Sequence, residues 1–467
     1  MTQFDLTLQE DHLAQLRELL RRDDGTEASA YVLCGSAKIQ SDPWDRTCRQ
    51  RLTTHEVLAV PPEDRVSASV DHVTWSTNTY VKLLKRAQAE GLVVGIVHTH
   101  PRGPCQFSDQ DDRNERELHR LAQNRNGAGT QLLSMLLAGD SAIRARLWVD
   151  SATALPHHTL RIVGRHLVIH REENKVVSEV FSRQALAFGE ALNHQLRHLK
   201  VGVVGCGGTG SAVVTLLARL GVGNLVLVDD DRVEATNLNR LHGARRSDAD
   251  AMRPKVDVLA AEITGWSIGT RVVPIQAWAG DPRCRDALKS CDVLFGCTDD
   301  HDGRLFLNRF AYFYLIPIID VGLAIDPAME SGFRELSGRV TVLSPGAPCL
   351  ICRGVVDPVT AREEALNRAQ PEQYERQKRE AYVRGSGNPA PGVVTFTTET
   401  ACMAVNELIQ GLIGYRGPEG WLWNQTRRFD RFVDRRPGPH HSTDCPICVD
   451  RMYLGRGDVD PFLDRVG

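Results

Sequence analysis

The stretch KVGVVGCGGTGSAVVTLLARLGVGNLVLVDDDRVEATNLNR, residues 200–240, decides the fold of the second part of the chain. A short apolar run leads into a glycine-rich loop, a helical pattern follows the loop, and a second apolar run ends at Asp229. Strand, glycine loop, helix and strand in this order predict a doubly wound, Rossmann-like α/β domain built on a parallel sheet.

The glycine loop also predicts binding of a phosphate group. Glycines let the backbone approach a phosphate at the N-terminus of the following helix. Asp229 ends the second predicted strand, where a carboxylate can accept hydrogen bonds from ribose hydroxyls. The loop glycines are Gly205, Gly207, Gly208 and Gly210. On its own, such a loop fits NAD as well as ATP.

Residues further along the chain favour ATP over NAD. Arg240 ends the segment DDDRVEATNLNR and Lys255 follows in MRPKVD, so two cations are placed to meet a triphosphate. The segment DVLFGCTDD ends a predicted strand and carries Asp299, a carboxylate placed to hold Mg²⁺. Either cation alone would more often be a solvated surface residue. The order of the motifs favours the phosphate-binding role instead.

Two CxxC pairs predict a metal site of a different kind. PCLICRG supplies Cys349 and Cys352, and DCPICVD supplies Cys445 and Cys448. Four thiolates form a closed tetrahedral zinc site, which is structural because no coordination position is left open. The pairs lie far apart in the sequence, so the metal would clip distant segments together. A disulfide or four free thiols are the alternatives.

The segment GIVHTHPRGPCQFSDQDD, residues 95–112, predicts a second metal site near the N-terminus. His98 and His100 lie one residue apart on a predicted strand and share a face, and Ser108 and Asp111 share a face at the start of the next helix. Two imidazoles and a carboxylate are a three-ligand set for a catalytic zinc with one position open to water.

Hydrolysis at such a zinc also needs a base and an oxyanion donor. Glu27, which precedes the predicted strand in EASAYVLCGSAKI, is the candidate base, and Glu56 is the alternative. Ser108 is the candidate donor to a tetrahedral oxyanion.

Composition limits the remaining function classes. The chain has 467 residues, enough for two or three domains, and 56 Lys and Arg balance 59 Asp and Glu. This balance argues against a nucleic-acid surface, and no apolar run has the length of a membrane span. The N-terminal 22 residues show an amphipathic helical pattern rather than a signal peptide. Twelve cysteines, four of them in CxxC pairs, favour a reducing cytoplasm.

The N-terminal pattern resembles the JAMM/MPN metalloproteases. The resemblance rests on HTHP, the serine and aspartate that follow it, and a glutamate before a VLCGS-type strand, and it covers roughly 130 residues. It implies an α/β metalloprotease domain that hydrolyses isopeptide bonds or trims residues behind the Gly-Gly terminus of a ubiquitin-like protein. A segment containing a Pro-His-His turn, 149–177, is expected to finish this domain.

The second part resembles the ubiquitin-activating-enzyme superfamily, including the ThiF/MoeB-type adenylyltransferases that activate sulfur-carrier proteins. GCGGTGS, DDDRVEATNLNR, RPK and CTDD occur in the family's order over about 175–450. The resemblance implies binding of ATP and Mg²⁺, with Asp231 and Asn239 also at the nucleotide, and attack of a C-terminal glycine carboxylate on the α-phosphorus. It implies the same Cys₄ clip. It also implies a homodimer, in which Arg183 of SRQALAFGE reaches the neighbouring subunit's nucleotide.

These motifs predict two enzymes in one cytoplasmic chain: a metalloprotease domain at 1–170 and an adenylyltransferase domain at 171–467. Both would act on a ubiquitin-like protein, with a ubiquitin-carrier-type enzyme as a further partner and no nucleic acid or membrane. The segment where related enzymes carry a thioester-forming cysteine contains none, and Cys402 follows directly after it. Alternatives are activation of a sulfur carrier for cofactor synthesis, an inactive binding scaffold and, more distantly, an NAD oxidoreductase.

Overall fold

The computed structural model describes residues 3–69, 73–101, 103–139, 142–171, 178–327, 332–379, 391–438, 440–449 and 452–458. Part of the segment predicted to cross over the nucleotide, residues 380–390, therefore lies outside the described residues. Among the described helices, none is both long enough and apolar enough to cross a bilayer.

The N-terminal part is built around a sheet that closes on itself. Its strand order is β1-β3-β2-β6-β7-β8-β9-β10, and β1 also pairs with β9. Strands β4 and β5 form a separate hairpin. The strands are β1 (Gln3–Gln9), β2 (Ser29–Ile39), β3 (Arg49–Ala59), β4 (Arg65–Ala68), β5 (Val73–Trp75), β6 (Val93–Thr99), β7 (Leu132–Ala138), β8 (Ala142–Trp148), β9 (Ala154–Val163) and β10 (Leu167–Arg171).

Three helices accompany this sheet: α1 (Glu10–Leu20), α2 (Asn78–Glu90) and α3 (Asp109–Asn126). The strand predicted at His98 and the helix predicted to start near Ser108 and Asp111 are confirmed as β6 and α3, and His100 follows β6 directly. Helix α3 begins at a capping box, in which Ser108 and Asp111 bond to each other's backbone N–H groups. This cap fixes where the helix starts and therefore where Asp111 lies relative to β6.

Two local predictions for the N-terminal part are wrong. The amphipathic helix predicted from the first residue starts only at Glu10, because residues 3–9 pair in parallel with β3 and with β9. The predicted Pro-His-His turn lies inside β9. In both places, pairing with distant strands outweighs the local pattern.

The second part contains a sheet of order β13-β12-β11-β14-β15-β16-β17-β18. Strands β11 to β15 are parallel, and β16 to β18 continue the sheet antiparallel. The elements are α4 (Ser182–Phe188), α5 (Glu190–His198), β11 (Lys200–Val204), α6 (Gly208–Leu220), β12 (Asn224–Val228), α7 (Arg246–Asp250), α8 (Lys255–Gly265), β13 (Arg271–Ile275), α9 (Arg285–Lys289), β14 (Val293–Gly296), α10 (His301–Tyr314), β15 (Ile318–Pro327), β16 (Phe333–Leu343), α11 (Pro358–Ala369), α12 (Pro371–Arg379), α13 (Val394–Ile413), β17 (Asn424–Arg428) and β18 (Val433–Arg435).

This order confirms the doubly wound α/β fold predicted from the glycine-loop stretch. The parallel strands run outward in both directions from β11, so the chain reverses its progression across the sheet between β11 and β14. Open α/β sheets bind ligands at such a reversal point, outside the carboxyl ends of the strands. One core cluster joins β11, β12 and β14 to α6 and α13, which pack on one face of the sheet.

Buried charges join the two sheets. Asp292, which precedes β14, accepts hydrogen bonds from Nε of Arg161 in β9 at 2.7 Å and from Nη2 of Arg171 in β10 at 3.1 Å. Arg161 also donates to Asp5 in β1 at 3.2 Å. Burial alone would raise the pKa of Asp292, but the adjacent arginines and the N–H donor of Lys200 hold it well below its usual range.

The depressed pKa of Asp292 predicts a loss of stability in acid. A carboxylate with a lower pKa in the folded state stabilises that state above its unfolded pKa of about 3.9, and this contribution falls with pH below that value. We expect Asp292→Asn to lower the free energy of unfolding at neutral pH by roughly 3 kcal/mol, because two buried arginines lose a charged partner, and to flatten its acid dependence. Urea unfolding from pH 3 to 7 measures both effects. Asp250→Asn, at an exposed pair with Arg246, is the control that should change neither.

Candidate functional site

The sheet-end pocket is a cavity of about 430 Å³ at the carboxyl ends of β11, β12 and β14, a size suited to a small molecule. It is lined by several of the residues that the sequence predicts for nucleotide binding: Gly205, Gly207, Gly208, Asp229, Asp231, Arg240, Lys255 and Asp299. Among the described residues, Gly210, Asn239 and Arg183 do not line it. The structure therefore places most of the predicted residues around one cavity and three of them outside it.

The glycines of the loop have different roles. Gly205 has φ of +87°, a left-handed conformation, and a Cβ there would lie 2.6 Å from the carbonyl of Cys297. At Gly210 a Cβ would lie 1.9 Å from the carbonyl oxygen of Gly205, so this glycine is needed for the packing of α6 against the loop. At Gly207 a Cβ would meet no atom of the described residues within 4 Å.

This difference predicts opposite effects of two matched alanine substitutions. Gly210→Ala should lower the free energy of unfolding by about 3 kcal/mol or more, because backbone must move to admit the methyl group. Gly207→Ala should change it by less than about 1 kcal/mol. Because Gly207 faces the cavity, its variant should instead weaken nucleotide binding. Thermal unfolding with and without ATP–Mg²⁺ separates these effects, and a stable Gly210→Ala protein would contradict the assignment.

Lys255 is the central cation of the pocket. Its Nζ lies 2.6 Å from a carboxylate oxygen of Asp231, which is largely exposed, while the lysine side chain is 10 % exposed. Burial lowers the pKa of Lys255, but the charge of Asp229 and the hydrogen bond to Asp231 outweigh burial and raise it above the usual value. Lys255 is therefore a cation at neutral pH.

Asp229 lies behind the glycine loop. Its carboxylate accepts hydrogen bonds from N–H of Cys206 at 2.5 Å and from N–H of Asp231 at 2.8 Å. Burial raises its pKa, and the charge of Lys255 and the two N–H donors oppose the rise only in part. Asp229, Asp230 and Asp231 have carboxylate oxygens within 4.8 Å of one another, a spacing compatible with a cation, although exposed acidic groups also cluster without one.

Arg240 lies across the pocket, between the glycine loop and the chain that returns before α13. A Cβ at Gly208 would approach its Cγ at 3.1 Å, and one at Gly392 would approach its Cδ at 2.9 Å. Its Nη1 donates to the backbone oxygen of Thr236 at 2.7 Å. Arg240 is thus held by its own segment and covered by residues that follow the crossover.

The sequence did not predict three further residues of the pocket: Trp278, Arg304 and Arg368. The Arg368 guanidinium stacks over the ring of Trp278 at 4.3 Å and pairs with Asp300 at 3.0 Å and with Asp302. Arg368 belongs to α11, some 70 residues beyond the TDD motif. No local pattern in the sequence marks it, because its position depends on how α11 packs on α10.

The His–Asp cluster consists of His98, His100 and Asp111, whose ligand atoms lie within 4.8 Å of one another. Nε2 of His98 lies 3.2 Å from Asp111 Oδ1, and Nε2 of His100 lies 3.6 Å from Asp111 Oδ2. Among the described residues, the buried Nε2 of His98 has no partner at hydrogen-bond geometry. Burial alone would raise the pKa of Asp111, but His98 and the donors of Ser108 hold it well below its usual range.

Strand register brings Glu27 to this cluster. Ser29 in β2 pairs with His98 in β6, so Glu27, two residues earlier, lies opposite His100, with Oε1 3.7 Å from its Nε2. The alternative base, Glu56, is placed elsewhere and pairs with Arg86 at 2.7 Å. Ser108 adjoins the cluster, and its hydroxyl donates to Asp111 Oδ2 at 2.8 Å.

The Cys cluster brings the four CxxC cysteines together, with sulfur atoms within 4.8 Å of one another. Sγ atoms of Cys349 and Cys445 are 3.5 Å apart, as are those of Cys352 and Cys448. These distances are far longer than a disulfide bond. The cluster packs against the core beside α10, so a metal there would tie the chain's last segment to the second sheet.

Comparison with known families assigns both parts of the chain. Residues 181–447 match the model of the ThiF family, and residues 9–149 match the model of prokaryotic homologs of the JAB domain. The first match covers more than half of the chain. The resemblances inferred from the motifs are therefore confirmed at the level of family, and the fold combines a JAB domain with a Rossmann-like ThiF domain.

Curated relatives match about a third of the chain. The chain is 32% identical over 153 residues to the SAMP-activating enzyme E1 of Haloferax volcanii, covering 33% of this chain and 52% of that one. It is 32% identical over 178 residues to the molybdopterin-synthase adenylyltransferase of Escherichia coli, covering 37% and 66%. It is 28% identical over 190 residues to ubiquitin-like modifier-activating enzyme 5 of Bombyx mori, covering 37% and 46%. The chain thus spans about half to two thirds of these relatives' length.

Proposed function

The chain belongs to the ThiF family, and we propose that its second part uses ATP and Mg²⁺ to adenylylate the C-terminal glycine of a ubiquitin-like protein. One observation carries this proposal: the glycine loop, Lys255, Arg240 and Asp299 surround one cavity at the point where the sheet order reverses. The relatives named as activating enzymes and adenylyltransferases support the same reaction class.

The reaction needs cations because both reactants are anionic. The glycine carboxylate oxygen forms a bond to the α-phosphorus, the bond to the bridging oxygen breaks, and pyrophosphate leaves. Lys255 and Arg240 offset the charge that repels the carboxylate, and the loop N–H groups hold phosphate oxygens. Asp299, on the opposite wall of the cavity, would hold Mg²⁺, which neutralises phosphate oxygens when bound. Asp229 and Asp231 would hold the ribose side of the nucleotide.

We further propose that the reaction ends at the acyl adenylate or passes directly to a partner's cysteine. Residues 353–401 contain no cysteine. Cys402 follows in α13, where burial and the nearby Glu399 raise the pKa of its thiol. A raised pKa lowers the thiolate fraction and therefore the reactivity. A thiol-labile adduct on Cys402 after incubation with ATP and the ubiquitin-like protein would overturn this part of the proposal.

For the JAB domain we propose a zinc-dependent isopeptidase that trims or removes the same ubiquitin-like protein. The donor set fits zinc, since two imidazoles and one carboxylate converge and the buried Nε2 of His98 has no hydrogen-bond partner among the described residues. A zinc ion held there would acidify a water molecule and polarise the scissile carbonyl.

The chain's own groups would supply the rest of the chemistry. Glu27, beside His100 and 7 % exposed, is placed to take a proton from the attacking water and to return it to the leaving amine. The Ser108 hydroxyl, now bonded to Asp111, would turn to donate to the oxyanion. The backbone N–H of Ser108, which donates to Asp111 Oδ2 at 2.7 Å, would still hold the carboxylate in place for the metal.

The Cys cluster would hold a structural zinc, because four sulfur donors leave no position open for a substrate. We expect Cys349→Ser to release one equivalent of zinc and to lower the melting temperature by several degrees. Cys284→Ser, at a buried cysteine outside the cluster, is the matched control and should keep the metal. Zinc released by a thiol-blocking reagent can be titrated with a chromophoric chelator. Unchanged zinc content in Cys349→Ser would contradict the site.

The remaining expectations stay proposals. These are a division into 1–170 and 171–467, a homodimer in which Arg183 reaches the neighbour's nucleotide, and a ubiquitin-carrier-type partner. Arg183 is exposed on α4, where another subunit could contact it. Activation of a sulfur carrier is a second candidate function, favoured by the similarity to a molybdopterin-synthase adenylyltransferase. A thiocarboxylate product would identify the second function, and an amide or ester would identify conjugation.

Intact mass spectrometry tests the proposed function. The chain is mixed with zinc, Mg²⁺, ATP and a ubiquitin-like protein that carries residues beyond its Gly-Gly. We expect loss of the tail and then a mass gain of one AMP. With this tailed protein, Lys255→Ala should abolish only the gain of AMP, and His98→Ala should abolish both changes. His98→Ala should still give the AMP adduct with a ubiquitin-like protein that already ends at Gly-Gly. Binding of zinc and ATP with neither change, across a panel of ubiquitin-like proteins, would favour a scaffold.

A further inference from the structure

A basic groove of about 2160 Å³ crosses the JAB domain. It lies where β8 and β9 diverge, since these strands pair only between Arg146–Trp148 and Ala154–Pro156. Beyond that point β9 pairs with β1 and β10 instead. The groove is thus a gap in the sheet, wide enough for an extended chain.

The groove is lined by basic side chains. Among the described residues that line the groove, none is a carboxylate and five are cations. The cations are Lys38, Arg49, Arg144, Arg146 and Arg171. Three of these arginines form salt bridges with buried carboxylates: Arg49 with Asp42, Arg146 with Glu115 and Arg171 with Asp292. The Lys38 ammonium and the Arg144 guanidinium have no carboxylate partner among the described residues. Both side chains are exposed.

The groove also offers backbone groups. On the side facing β9, residues 142–145 of β8 pair with no described strand. Alternate residues of the strand point their backbone groups to that side, where Ala145 contacts the ring of His157 and the N–H and C=O of Ile143 have no described strand partner. An unpaired strand edge binds an extended peptide through main-chain hydrogen bonds. A nucleic acid has no equivalent backbone pattern, so this edge favours a polypeptide ligand.

One end of the groove is formed by the loop that separates the histidines of the His–Asp cluster from its aspartate. Pro104, Cys105, Gln106 and Phe107 line the groove and belong to the loop between His100 and Ser108. The Phe107 ring lies 6.1 Å from the His98 ring on one side and under the Arg146 guanidinium, at 3.9 Å, on the other. A chain leaving the cluster past Phe107 would enter the groove.

We propose that the basic groove binds an extended, acidic polypeptide segment of the substrate that is cleaved at the His–Asp cluster. The segment lies along the free edge of β8, and its carboxylates face Lys38 and Arg144. The identity of the ligand as substrate rests on the proposed peptidase function, but the binding itself does not.

Fluorescence anisotropy on the full chain tests the binding without catalysis. The probe is a short fluorescein-labelled peptide in which glutamate alternates with glycine, and matched peptides carry lysine or glutamine instead. We expect the glutamate peptide to bind tightest and Lys38→Glu/Arg144→Glu to weaken it by roughly tenfold. Arg245→Glu/Arg246→Glu, at two exposed arginines of the second part, should leave it unchanged. Circular dichroism checks that both variants are folded.

Three results would overturn the proposal: equal binding of acidic and basic peptides, unchanged affinity in the groove variant, or tighter binding of a single-stranded oligonucleotide than of the peptide at equal salt. Failure of the peptidase hypothesis would look different. His98→Ala should retain peptide binding and lose hydrolysis of a ubiquitin-like fusion. An unmodified chain that binds the peptide but cleaves none of a panel of ubiquitin-like fusions would reject the peptidase and keep the groove.

Discussion

Glu27→Gln is expected to lower the rate of isopeptide hydrolysis about a thousandfold and to leave the bound zinc in place. The amide keeps the shape and the position of the side chain beside His100, but it cannot accept a proton from water. Removing a general base costs about two to four orders of magnitude. The measurement is kcat/KM on a ubiquitin-like fusion substrate, combined with zinc content per chain.

Glu56→Gln is the matched control for this prediction. Glu56 lies in the neighbouring strand, is about one third exposed and pairs with Arg86, so its loss should change neither rate nor zinc content. His98→Ala should remove the activity and lower the zinc content by one equivalent per chain, the zinc of the Cys cluster remaining. A Glu27→Gln enzyme with full activity would show that another group takes the proton, and a strong effect of Glu56→Gln would reverse the assignment.

Much of the His–Asp cluster could be predicted from sequence, because each of its two motifs is short and the spacing of each motif matches one local element. His98 and His100 share a strand end, and Ser108 and Asp111 share the first turn of α3. The place of Glu27 could not follow from spacing, since it depends on the pairing of β2 with β6. The motif context suggested Glu27, and the register explains how it reaches His100.

The doubly wound sheet was predictable for a similar reason. An apolar run, a glycine loop and a helical pattern specify a strand–loop–helix unit, and such units assemble with one handedness. Strand β1 was not predictable, because FDLTLQEDHLAQL carries both a two-residue and a helical period. Its pairing with β3 and β9 decides between them.

The burial of charged side chains was the feature of the fold that could least be predicted from the sequence. Asp292 and Arg161 read as surface residues, because charged side chains are usually exposed. Their burial follows from the contact between the two sheets, which no motif encodes. Arg368 was missed for the same reason: its role depends on the packing of α11 over the sheet-end pocket.

Lys255→Ala is expected to lower the rate of AMP transfer about a thousandfold while leaving the JAB domain active. Lys255 is largely buried, charged at neutral pH and held by an exposed partner, Asp231, so a phosphate can replace that partner without leaving the lysine unpaired. Loss of a preorganised charge that stabilises the transition state costs two to three orders of magnitude. The measurement is ATP–pyrophosphate exchange in the presence of the ubiquitin-like protein.

The exchange rates and melting temperatures of two further variants distinguish phosphate binding by Lys255 from a structural role. Arg246→Ala removes a cation that is 73 % exposed and outside the pocket, and it should leave exchange unchanged. Asp231→Asn removes the partner of Lys255. If the lysine serves the nucleotide, this variant keeps its melting temperature and loses less exchange than Lys255→Ala, because a phosphate takes the place of the carboxylate and only the contact of Asp231 with the ribose is lost. If the pair instead serves the fold, Asp231→Asn and Lys255→Ala should both lower the melting temperature by similar amounts, and that result would reject the assignment of Lys255 to the phosphates.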